Sequence, residues 1–167
     1  MKATAATKPR LDEGFGDRPG RVPKEVVIVA PNCDRFDDFV AAGRRGEIGL
    51  HFCVDARSAV RMARRFRADV WLVAADLPDM AGLDLLEILM PFVSQAAVDP
   101  MLGGATISLN RLGCGVRSSV FLVADAHAVE TEQRALRTGA GYLAGPVSID
   151  LLLASRSRTA HAVTLPS

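Results

Sequence analysis

Cysteine is scarce in this chain of 167 residues. Cys33, Cys53 and Cys114 are an odd number, widely spaced, with no CxxC pair. That excludes a disulfide framework and argues against a structural zinc site. Cys33 and Cys53 fall in or beside apolar β-branched runs, where cysteine acts as a small buried hydrophobe. No apolar run approaches the length of a membrane span. Residues 1–23 lack the hydrophobic core of a signal peptide and mix Gly, Pro, Lys, Arg, Asp and Glu without periodicity. They read as a disordered leader, and the expected compartment is the cytoplasm. One sign of charge does not dominate: the net charge is +1, which draws the molecule neither to nucleic acid nor to an anionic membrane. Histidine is limited to His51, His127 and His161, too scattered for a ligand cluster, so no metal and no cofactor are expected. Lysine is nearly missing from the basic residues, being confined to Lys2, Lys8 and Lys24; this reads as genome composition. What remains is 49% hydrophobic and 23% charged, the balance of one soluble domain with a real core.

Five short apolar runs alternate with helical patterns. Residues 25–30 (EVVIVA), 50–54, 68–75, 118–124 and 142–144 read as strands, the first buried on both faces as in a parallel sheet. Helices are predicted over 34–43, 55–67, 83–93, 129–138 and 149 to about 155. Asn32 or Asp34 is expected to cap the first helix and Gly43 to close it, and Ser148 to cap the last. Alternation of this kind implies a parallel sheet with right-handed crossovers. A doubly wound, flavodoxin-like α/β sheet in the order 2-1-3-4-5 is expected, with its functional crevice at the carboxyl ends of the strands. The domain is expected over 24–157, with an insertion at 94–117 and a tail at 158–167.

Two stretches carry a resemblance. One is Ala74-Ala-Asp-Leu-Pro-Asp-Met-Ala-Gly-Leu-Asp-Leu-Leu86, where a strand ends, a Pro-containing loop follows and a helix begins. The other is Leu136-Arg-Thr-Gly-Ala-Gly-Tyr-Leu-Ala-Gly-Pro146. Together they resemble the receiver domains of response regulators, the CheY-like family of two-component signalling, over roughly residues 24–157. The resemblance implies a phosphorylation pocket with an acidic pair after the first strand that binds magnesium. It also implies an aspartate nucleophile after the third strand, a Ser or Thr after the fourth and a Lys after the fifth. A carboxylate nucleophile meeting an anionic donor needs such cations to offset repulsion.

This sequence departs at all four places. The acidic pair becomes Ala30-Pro31 or Pro31-Asn32, the acceptor Ala74, the hydroxyl Ala124 and the lysine Gly145. Asp76 lies two residues past Ala74, and alternation near a strand end puts both side chains on one side. Magnesium without a phosphate-facing lysine lacks half its anion compensation. Asp34 and Asp125 therefore read as helix caps and Asp79 as a loop residue in water. The expectation is a non-enzymatic, degenerate pseudo-receiver acting in signalling through protein contacts. A sensor of a small molecule, using the emptied pocket, is the alternative. A cysteine enzyme built on Cys33 ranks last, with only distant His127 as a base.

Other features bear on partners. Arg57, Arg61, Arg64, Arg65 and Arg67, with Arg44 and Arg45 nearby, make a basic face. Without an aromatic platform it reads as solvated and not as a nucleic-acid surface. The third helix is unusually apolar, so Leu85, Ile88, Leu89, Phe92 and Val93 are candidates for a protein interface or self-association, together with the insertion. The other reading is that the insertion folds over this helix within one molecule. Pro91 is expected to kink or end the helix. Tyr142 occupies the family's switch-aromatic position, where packing is the expected role. The resemblance implies a dimer face on the fourth helix, fifth strand and fifth helix, weakened here by a short fifth helix. No output segment follows the domain, so output is expected in trans or through a homodimer.

Overall fold

The computed structural model describes residues 22–94 and 118–162. The leader, nearly all of the insertion and the end of the tail lie outside these residues. The order of elements is β1 (Glu25–Val29), α1 (Asp37–Arg44), β2 (Gly49–Cys53), α2 (Ala56–Ala63), β3 (Val70–Ala74), α3 (Gly82–Ser94), β4 (Ser119–Ala124), α4 (Val129–Arg137), β5 (Gly141–Ala144) and α5 (Ile149–Ala162). The strands form one parallel sheet in the order β2-β1-β3-β4-β5, as the alternation predicts.

Strand periodicity divides the core into two layers. Val27, Val29, Trp71, Val73, Val120 and Leu122 face α2, α3 and α4. Val26, Ile28, Val70, Leu72, Phe121 and Val123 face α1 and α5. Burial on both faces explains why these strands read as continuous apolar runs. Asp69 ties three strands together at their N-terminal edge. One oxygen of its carboxylate accepts the backbone N–H of Lys24 (2.7 Å) and of Glu25 (3.0 Å). Its own N–H donates to the Glu25 carbonyl, and its carbonyl accepts from Ser119 N. At the same edge the Ser118 hydroxyl donates to Ala68 O, and the Arg67 guanidinium donates to Phe92 O near the end of α3.

Several boundaries move from their predicted places. α1 begins at Asp37, and neither Asn32 nor Asp34 caps it. Residues 33–36 instead make a turn, with Phe36 N donating to Cys33 O, which drives Phe36 into the core before the helix starts. Asp37 and Asp38 in the first turn complement the helix dipole. Gly43 lies inside α1, and the left-handed turn falls on Gly46 (φ 73°). α2 is shorter than its pattern: Arg65 N bonds Met62 O, tightening the chain after Ala63. Asp55 caps it, accepting Ser58 N at 2.7 Å.

α3 runs through Pro91 to Ser94. The carbonyl that loses its partner belongs to Glu87, which is exposed, so water can serve it. α5 extends to Ala162, correcting the helix end expected at about Ser155. Beyond Leu153 the apolar spacing lapses, but no Gly or Pro stops the helix before Pro166. Ser148 does bond the first turn, accepting Leu151 N at 3.1 Å.

Candidate functional site

The parallel sheet places the ends of β1, β3, β4 and β5 along one edge. Ala30 N donates to Cys53 O, carrying the chain out of β1 into Pro31 and Asn32. β3 ends at Ala74. A bridge between Asp76 and Ala81 closes the following loop, and Gly82 N donates to Ala75 O at 2.7 Å. A cavity of about 120 Å³ lies at this edge, lined by Ala30, Pro31, Asn32, Arg35, Phe36, Ala74, Asp76 and Asp125. Pockets for drug-sized ligands run to about 300 Å³ or more; this one has room for an ion or a few waters.

Ala30, Pro31, Asn32, Ala74 and Asp76 thus line one cavity. Ala124 and Gly145 end the adjoining strands, with Gly145 N donating to Ala124 O, and neither forms the cavity wall. Gly145 sits at φ 79°, a backbone conformation that disfavours side chains. The cavity's cation is Arg35, which the sequence reading does not single out. Its guanidinium pairs with Asp125, so Asp125 is an ion-pair partner and not a helix cap. α4 begins at Val129 with no side-chain cap. The only local hint of Arg35 is one basic residue in the acidic stretch Asp34-Arg-Phe-Asp-Asp38.

Asp79 is likewise not a free loop residue. Its two oxygens accept Ala56 N (2.9 Å) and Arg57 N (3.1 Å), fastening the loop after β3 to the start of α2. That helix end, rich in unpaired N–H groups, suits two carboxylates. The Ser58 hydroxyl bonded to Asp55 holds the Asp55 carboxyl below its usual range. Burial pushes the Cys53 thiol up, leaving it inert as a nucleophile. His127 is engaged by Glu132 (2.7 Å) and lies edge-on to Tyr142. His51 bonds Glu25 and packs on Phe66. Among the described residues no group of three metal-ligating side chains occurs.

The interface expected on α3 needs correction. Leu85 and Leu89 are fully buried and Val93 nearly so, in the core layer beneath α3. Phe92 is half-buried, with the Arg64 guanidinium 5.4 Å from its ring centre. Ile88 alone of the five is exposed, at 41%. α3 packs between α2 and α4 and on the central strands, so a wide apolar surface is what its position demands. Arg57, Arg61, Arg64, Arg65 and Arg67 are exposed; Arg64 and Arg67 brace the end of α3. No described helix is long and apolar enough to cross a membrane.

No protein-family model and no curated protein matches this chain. Solved structures do. A response regulator protein from Burkholderia pseudomallei, with a phosphorylated aspartic acid, calcium ion and citrate, superposes with a TM-score of 0.60 at 18% identity. The match covers 84% of this chain and 70% of that one. A CheY-like response regulator receiver domain protein from Methanospirillum hungatei JF-1 gives 0.58 at 18% identity, covering 83% and 94%. A two-component response regulator from Clostridium difficile gives 0.60 at 12%, covering 85% and 99%. The fold is that of a receiver domain. In this receiver fold the cavity occupies the crevice at the strand ends, and Tyr142 on β5 reaches the loop after β4. The tyrosine hydroxyl donates to Ala126 O (2.9 Å) and accepts Ala128 N (3.1 Å).

Proposed function

We propose that this chain is a pseudo-receiver: a signalling module, cytoplasmic and non-catalytic, that acts through protein contacts without aspartyl phosphorylation. The observation that carries this reading is Ala74. It ends β3 and forms part of the crevice wall, where the resemblance calls for the acceptor carboxylate. A methyl group cannot attack phosphorus. Replacing one residue would not repair the site, because Ala30-Pro31-Asn32 supplies no acidic pair and Gly145 no ammonium. Incubation of the full chain with acetyl phosphate and magnesium, followed by intact mass spectrometry, tests this. No phosphorylated species is expected for the wild type or for Ala74→Asp. Stable phosphate on Asp76 or Asp125 of the wild type would overturn the reading.

The partner is a protein or a second copy of this chain. Val129 and Leu136, 59% and 56% exposed, lie seven residues apart on α4, hence on one helix face. That helix belongs to the face the resemblance implies for dimers, and α5 is long enough to contribute to it.

A further inference from the structure

The crevice is spanned by the protein's own side chains. Arg35, from the loop after β1, pairs with Asp125, the first residue after β4. The carbonyl of the same Arg35 accepts Val147 N from the loop after β5 (3.3 Å). One residue therefore joins three loops at this end of the sheet. The loop after β4 is gripped a second time, by the Tyr142 hydroxyl bonded to Ala126 O and Ala128 N. The His127 ring lies against Tyr142, 5.8 Å between centres. Residues 125–128 are thus held at both ends by groups from different elements.

We propose that Arg35–Asp125 and Tyr142 form an intramolecular clasp that keeps residues 125–128 in one closed arrangement, with the Arg35 guanidinium as the resident cation of the crevice. This deepens the phosphorylation-independent reading and rests on it. A cation from the chain itself joins Asp125 to the loop after β1. The clasp needs no ligand, so the loop keeps its shape at all times.

Amide hydrogen exchange of Ala128, whose N–H is bonded to the Tyr142 hydroxyl, measured on the full chain by NMR, tests the clasp. Arg35 is about one-third exposed and Asp125 about two-thirds (side chains 36% and 67%), and such pairs are weak. Arg35→Gln and Asp125→Asn are therefore each expected to speed exchange by about two- to fivefold. Their combination should be no faster than either alone, and the exchanged pair R35D/D125R should return the rate toward wild type. Tyr142→Phe should speed exchange by about two- to tenfold. Roughly 1 M salt should accelerate the wild type but not Arg35→Gln, an arm that needs no variant to fold differently. Unchanged rates in both single variants, or additive effects, would overturn the clasp. A failed clasp leaves the acetyl phosphate result untouched, and phosphate on an aspartate would remove the broader reading whatever the loop does.

Discussion

Gly82→Ala is expected to lower the stability of the fold by about 3 kcal/mol, in the range of overpacked core sites. A Cβ at this position would be driven into the carbonyl oxygen of Ala74, with the Ala74 carbonyl carbon at 3.0 Å and the Ala75 Cα at 2.9 Å. All three obstacles are backbone, at the end of the central strand. They cannot swing aside, because Gly82 N is hydrogen-bonded to Ala75 O and Ala75 N to Val123 O. Helix propensity alone favours alanine by up to about 1 kcal/mol, so the sign of the effect separates the two causes. Gly49→Ala is the control: the atoms nearest its Cβ would be those of the Glu25 carboxylate, the far end of a flexible side chain that can move at the expense of one bond to His51, and it should cost less than about 1 kcal/mol. Urea unfolding followed by fluorescence measures both, since Trp71 is the sole tryptophan and fully buried. A Gly82→Ala protein within about 1 kcal/mol of wild type would show that the strand end and the helix start are not locked together.

Leu89→Ala is expected to cost about 3 kcal/mol, and Ile88→Ala less than about 1 kcal/mol. The two are adjacent in sequence and similar in size. Leu89 is fully enclosed in the layer formed by α2, α3, α4 and the sheet, where deletion leaves a cavity; Ile88 faces solvent at 41% exposure. If α3 serves a partner at all, Ile88 is the position that can report it, through weaker association at unchanged stability. Equal losses of stability at both positions in urea melts would contradict this placement of α3.

Those two residues also show what a single sequence can and cannot reveal. The strands were legible because burial on both faces leaves a run of apolar residues that no polar alternation interrupts, as in Val26-Val-Ile-Val29 and Val70-Trp-Leu-Val73. The sheet order followed from alternation with helices. The apolar surplus of α3 was equally visible, but its cause was not. A helix flanked on both sides shows the same composition as a helix awaiting a partner. In the crevice, Ala74 and Asp76 are placed by counting back from Leu77-Pro78 and Gly82, and Ala30 by its position at the end of the first strand. Arg35 and its pairing with Asp125 escaped because the two are ninety positions apart and meet only after the sheet has formed. The bonds of Asp79, read as a loop residue in water, escaped for the same reason: its partners are backbone N–H groups at the start of α2, which no side-chain pattern records.

The fastening of Ser118 to Ala68 and of Arg67 to Phe92 puts the junctions of residues 95–117 at the edge of the sheet opposite the crevice. The molecule thus has two poles, with the crevice at one and these junctions at the other. For a flexible connection, doubling the length adds only about 0.6 kcal/mol of closure entropy. A graft or deletion there is a route to new binding partners that leaves the Arg35 pole as it stands.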